Sequence, residues 1–213
     1  MKTPFLKLLV IALAITCTSC KKEVALSEYK YAEKGIVLNC DKFDLKLLNE
    51  ALFTFENDIT NAYSKDKKNL TQAYAQFVRN AVSGRAKYED IVSPHTLAVF
   101  EVLKSKSELW DLNNTNSKLN YNSPVFKCIS ENLQSKDLKT TLKALISTNS
   151  MTTKLFGPAL ISGYRSAISD KYLSTYIALD LFYAKLFDVD TSKITQKEEK
   201  VDFNSLPETP KAD

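Results

Sequence analysis

Large apolar side chains recur every third or fourth residue through most of this chain, and no alternating run is long enough to mark a strand. Leu45, Leu48, Leu52, Phe55, Ile59 and Tyr63 form one such stripe, with Asp41 or Asp44 placed to cap it. Leu70, Ala73, Tyr74, Phe77 and Ala81 form a second, ending at Gly84, a residue suited to the turn after a helix. Ser93-Pro94 and Ser123-Pro124 each open a further helix, because serine caps and proline fits the first helical position. Leu97, Phe100 and Leu103 follow the first of these, and Phe126, Ile129 and Leu133 the second. A fifth helix is expected from about Lys136 through Leu138, Leu142, Leu145 and Ile146. Beyond a break at Gly157-Pro158, two more run from about Ala159 to Ile168 and from Lys171 to Phe187, the last apolar nearly all round. The expectation is an all-α protein, a single compact bundle of six to seven helices over residues 41–190. Residues 191–213 hold few large apolar side chains and two prolines, Pro207 and Pro210, and read as a polar, solvated tail.

Composition narrows function by exclusion. The chain has 213 residues, long enough for one domain with a sizeable core. One histidine removes most zinc and imidazole-based catalytic schemes, and four glycines leave little material for phosphate-cradling loops. No cofactor, no metal site and no catalytic residue is called for. With 29 basic against 25 acidic residues, the net charge of +4 is too small and too scattered to argue for nucleic acid as a partner.

The first residues carry the most specific signal. Lys2 and Lys7 precede an uncharged run from Leu8 to Ile15, which is far short of the roughly 20 apolar residues needed to span a bilayer. It has the length of a signal-peptide core, and it ends at Thr16-Cys17-Thr18-Ser19-Cys20. Ser19-Cys20 resembles the signal of bacterial lipoproteins, in which a small residue precedes a cysteine that is lipidated and becomes the new amino terminus. Cys17 stands where that family usually has leucine or a similar aliphatic residue, and Thr16 makes Cys17 the poorer lipidation candidate. The resemblance implies a signal peptide at residues 1–19, lipidation at Cys20, and a tether over residues 20–40. An uncleaved anchor or an ordinary signal peptide cut elsewhere are the alternatives, and both put the body outside the cytoplasm. Losing Lys2 and Lys7 takes 29 basic residues to 27 against 25 acidic, so the mature chain is close to neutral. Lys21 rather than Asp follows Cys20, which in better-known envelope systems goes with outer-membrane retention. Glu23 alone does not make an acidic surface-export signal, so the expected address is the cell envelope, lipid-anchored to the outer membrane and facing the periplasm. The body is similar to lipoproteins of the Bacteroidota, especially from Leu48 to Asp90 and from Ser147 to Phe187, which implies no particular activity.

Few side chains in the body suggest chemistry. Cys40 and Cys128 remain once Cys20 is acylated, and an exported protein sits where disulfides persist. A bond between them would stabilise the fold by roughly 2–4 kcal/mol; two buried thiols are the alternative. His95, at the second position of its helix, reads as a surface or capping residue. Asp180 interrupts the apolar last helix and calls for a partner, for which Arg165 is placed. Asp188, Asp190, Ser192 and Glu199 fall at oxygen-donating places of a calcium loop, but Lys193 occupies the place of its glycine, so a polar exit from the last helix is expected. Trp110 is expected to close a helix end onto the core. The corner holding Gly157, Gly163, Tyr164 and Arg165 combines flexibility with interface-forming residue types, and Gly157, Tyr164 and Arg165 are the candidate partner-binding residues.

The functional expectation is a membrane-anchored envelope lipoprotein acting as a non-enzymatic interaction or binding module. Its partners would be the membrane, through the lipid anchor, and an envelope protein. The competing expectation is a glycan-directed envelope hydrolase using two carboxyl groups about 5–10 Å apart.

Overall fold

In the computed structural model the described residues are 24–41 and 43–195, and they form an all-α bundle. Seven helices of seven residues or more make up its body: α1 Leu45–Tyr63, α2 Leu70–Val82, α3 Pro94–Ser105, α4 Pro124–Asn132, α5 Lys136–Ser147, α6 Thr153–Gly163 and α7 Lys171–Ile177. One-turn helices at Tyr88–Ile91 and Ser192–Thr195 pack on each other and close the bundle near its end. Among the described residues the sole strand-like contact is an antiparallel bridge between Trp110 and Leu119, and no helix is long and apolar enough to cross a membrane.

The helices begin where polar side chains accept the first free backbone amides. Asp44 accepts from the Leu47 amide, Asn69 from Gln72, Ser93 from Thr96, Ser123 from Phe126, Ser135 from Leu138 and Thr152 from Leu155. Pro94 and Pro124 both stand at the first turn, where the missing amide hydrogen costs nothing. Trp110 donates its indole N–H to the Leu103 carbonyl at 2.7 Å, which also accepts from the Lys106 amide, so the indole closes the end of α3 onto the core.

An aromatic cluster fills the centre. Phe55 of α1 lies 5.0 Å from Phe77 of α2 and 5.2 Å from Phe182, all three fully buried. Phe182 belongs to the continuation of α7, which passes through a π-helical turn at Ala178–Phe182 and a tighter 3-10 stretch at Tyr183–Asp188. Every residue from Leu173 to Ala184 is buried, as the nearly all-round apolar sequence requires.

The structure corrects one helix boundary. Gly157-Pro158 does not break the chain but lies within α6. Pro158 removes the one bond its N–H would make to the Lys154 carbonyl, a loss confined to the first turns of the helix. Gly157 is buried instead of hinging: a Cβ there would meet Val82 Cγ1 at 2.4 Å, so the glycine sets how closely α6 approaches the end of α2. The helix then tightens into 3-10 turns at Tyr164–Ile168.

Residues 24–41 also differ from a plain spacer. They form a strap against the bundle, with Leu38 and Cys40 buried and Ile36 exposed. In the tail, Ile194 is buried and Asp190 Oδ1 accepts from the Ser192 amide at 3.1 Å, so the chain beyond α7 stays docked through the turn at Ser192–Thr195. Residues 1–23, where the signal peptide and the lipidation of Cys20 are expected, and residues 196–213, including Glu199, lie outside the described residues.

Candidate functional site

Polar chemistry in this bundle is concentrated on α1. Its amphipathic stripe buries Leu47, Leu48, Leu52, Phe55 and Ile59, yet Asn49, Glu50, Glu56 and Asp58 are buried as well. Burying a carboxylate is costly unless its oxygens are satisfied, and each of these has found donors from distant sequence.

Glu50 holds the strap. Its Oε1 accepts from the Lys30 amide at 2.7 Å and its Oε2 from the Tyr31 amide at 3.0 Å. His95 Nε2 meets Oε1 at 2.6 Å, and the two side chains are 11% and 1% exposed. His95 is therefore not the surface residue its helix position suggests; it turns inward because Glu50 is there to receive it. Asn49 Oδ1 accepts from the Val37 amide, and Tyr172 Oη from the Asn39 amide, so the strap is clipped along its length. Desolvation, with the nearby carboxylates of Asp58, Glu50 and Glu33, pushes the Tyr31 hydroxyl up to about 12. Glu50 also borders a cavity of about 240 Å³ between strap and α1, walled by Tyr29, Ala32, Ile36 and Lys46.

Asp58 lies further along the same helix. Its Oδ2 accepts from the Ser93 amide at 2.9 Å and from the Thr96 hydroxyl, so the carboxyl sits over the start of α3. Desolvation raises it to about 6; the bonds from Thr96 and Ser93, and the His95 ring, oppose that rise without cancelling it. Glu56 pairs with Lys171 Nζ at 2.9 Å and accepts from Tyr74 Oη at 3.1 Å, which joins α1 to the start of α7.

Asp180, in the π-helical turn, is 2% exposed and is not paired with Arg165. Three hydroxyls satisfy it: Ser117 Oγ at 2.5 Å, Tyr121 Oη at 2.9 Å and Tyr176 Oη at 2.7 Å. Arg165 is exposed and lies 6.0 Å over its neighbour's ring, Tyr164, so the expected ion pair is absent. Burial and the Asp180 charge together raise the Tyr121 and Tyr176 hydroxyls well above their ordinary range, keeping both as donors.

Cys40 and Cys128 form a disulfide with Cα atoms 5.8 Å apart across 88 positions of chain, joining the end of the strap to α4. The corner picked out for partner binding is mostly internal. Gly157 is buried, Tyr164 is 9% exposed, and Arg165 alone of the three faces solvent. Among the described residues no cluster of three or more His, Cys, Asp or Glu could hold a metal ion. Sequence reasoning missed Glu50, Glu56 and Asp58, whose positions on the helix show only that they flank an apolar stripe. Their donors lie 18 to 115 residues away, which no local pattern reports. No family model, curated protein or solved structure matches the chain.

Proposed function

We propose that this chain is an exported, lipid-anchored binding module of the cell envelope, tethered at Cys20 to the periplasmic face of the outer membrane and acting through contact. The observation that carries this reading is the Cys40–Cys128 bridge. Such bonds persist in oxidising compartments, which agrees with an export signal at the amino terminus. The bridge also fastens the strap to α4, so a membrane tether would enter a domain whose first residues are already fixed. An envelope protein or ligand is the expected partner.

The glycan-hydrolase alternative draws less support. Glu50, Glu56, Asp58 and Asp180 all accept hydrogen bonds from protein donors and are buried, whereas that chemistry uses two carboxyl groups facing one cleft.

Metabolic labelling with an alkyne fatty acid, followed by fractionation of a bacterial host, tests the anchor. The native chain is expected to take up label and sediment with membranes, and Cys20→Ser is expected to be unlabelled and released to the soluble envelope fraction. A native chain that is unlabelled, or that fractionates with cytosol, overturns the reading.

A further inference from the structure

The strap is fastened to the bundle at two places of different kind. Beyond Gly35, the Val37 amide donates to Asn49, the Asn39 amide to Tyr172, and Cys40 is bonded covalently to Cys128. Before Gly35, the Lys30 and Tyr31 amides both donate to one carboxylate, Glu50. Around that bond Leu26 rests partly buried on the core, the Tyr31 ring lies 6.1 Å from the Phe53 ring, and Lys34 Nζ lies 4.6 Å over it. Gly35 separates the two fastenings at φ 69 and ψ 174, in backbone space that glycine enters and leaves without a side-chain penalty.

The second fastening depends on charge. Glu50 and Asp58 face the strap and the start of α3 from one side of α1, and both are buried. Thr54 stands between them at helical spacing, but its buried hydroxyl has no hydrogen-bond partner among the described residues. His95, the single histidine of the chain, is the one basic side chain among the described residues that is ion-paired with either carboxylate. Other cations are placed elsewhere. Lys171 is paired with Glu56, and Lys30, Lys34 and Lys46 are exposed to water, as is Glu33. Glu89 and Asp90, on the one-turn helix that also packs on α1, add acidic groups rather than a cation. Tyr29, Tyr31 and Tyr183 are raised by burial first and then by nearby carboxylates, so all three hydroxyls stay neutral.

The protonation of this cluster therefore changes near neutrality. Burial pushes Asp58 up to about 6, and a histidine ordinarily changes charge between about pH 5 and 8. At about pH 5 the cluster holds one carboxylate balanced by one imidazolium; at about pH 8 it holds two buried carboxylates and no cation. A buried carboxylate without a cation is costly, and lifting the strap returns water to Glu50. The closed strap thus holds more protons than the open one, so rising pH favours opening.

We propose that residues 24–34 form a pH-sensitive latch, closed on α1 in mildly acidic solution and swinging away about Gly35 as the Glu50, His95 and Asp58 cluster loses protons. Val37 to Cys40 stay in place throughout, held by Asn49, Tyr172 and the disulfide. Opening uncovers Phe53 beside the Glu50 carboxylate, an apolar and acidic face that the closed strap covers. The latch does not depend on lipidation at Cys20.

Amide hydrogen exchange on the native chain, followed by NMR and expressed as protection factors to remove the intrinsic pH dependence of exchange, tests it. Between about pH 5.5 and 8, protection at the Lys30 and Tyr31 amides is expected to fall about tenfold or more, while Val37 and Asn39 change less than about threefold. His95→Gln keeps a donor toward Glu50 but carries no charge, so protection at the lower pH is expected to drop close to the native value at the higher one. Asp58→Asn removes one of the two charges, so the fall across this range is expected to shrink. The latch is overturned if native protection at Lys30 and Tyr31 is the same at both pH values, or if Val37 and Asn39 lose protection in parallel with them. It is equally overturned if His95→Gln and Asp58→Asn both keep the native pH dependence.

Discussion

Asp58 and Gly157 show how single positions here carry opposed demands. Asp58 joins α1 to the start of α3, but burial holds its carboxyl at about 6 where an unfolded chain has 3.8. The folded state thus keeps a proton that the unfolded state has already lost, and the group's favourable contribution is complete below about pH 4 and gone above about pH 6. The displacement is worth about 3 kcal/mol across that window. Asp58→Asn should flatten the fall in stability between these pH values while leaving the acid limb nearly unchanged; denaturant titrations at a series of pH values read this directly, and parallel curves for the two proteins would refute it. Gly157 is a glycine inside a helix, where alanine ordinarily gains about 1 kcal/mol. Because the added methyl would press on Val82 Cγ1, Gly157→Ala is expected instead to destabilise the protein by about 1–3 kcal/mol. Adding Val82→Ala should recover part of that loss relative to Gly157→Ala alone, as measured by thermal melts. Neither effect is legible in sequence, since the Gly157-Pro158 dipeptide reads as a break until its neighbour on α2 is known.

The elements divide into those fixed by local rules and those fixed by distant partners. Ser93-Pro94 and Ser123-Pro124 state where α3 and α4 begin, and the apolar stripes of α1, α2 and α5 state which faces turn inward, because caps and periodicity act within a few residues. The strap obeys no such rule. It has little helix and a mixed composition, and it is held by Glu50 and Asn49 from the facing helix and by the disulfide to α4. Asp180 is similar: its hydroxyl donors Ser117 and Tyr121 lie some 60 residues upstream, so the sequence shows a carboxylate in need of a partner without saying which. A glutamine at position 50 keeps one acceptor and offers a donor where a second acceptor is needed, so Glu50→Gln should cost about 1–3 kcal/mol and speed hydrogen exchange at the Lys30 and Tyr31 amides. Unchanged protection at those amides would contradict the clip. Replacing both Cys40 and Cys128 by serine should lower stability by about 2–4 kcal/mol, since the bridge restricts the unfolded chain across 88 positions. Equal denaturation midpoints for the bridged and unbridged proteins would contradict that role.

At the scale of the molecule, one continuous core runs from Leu38 in the strap through the Phe55, Phe77 and Phe182 cluster to Ile194 near the end of the described residues. That continuity explains why an all-α bundle was readable from periodicity alone: nearly every helix contributes a stripe to one interior. It also gives the proposed envelope role a physical form, a bundle whose strap is joined by a disulfide to α4. The most direct measurement of this account is the intact mass of the protein isolated from its native membranes under non-reducing conditions. The account predicts a chain that starts at Cys20, carries a diacylglyceryl group and further acylation there, and is lighter by two hydrogens than its form with Cys40 and Cys128 reduced. A mass for an unacylated chain that still begins at Met1, with both body thiols free, would contradict it.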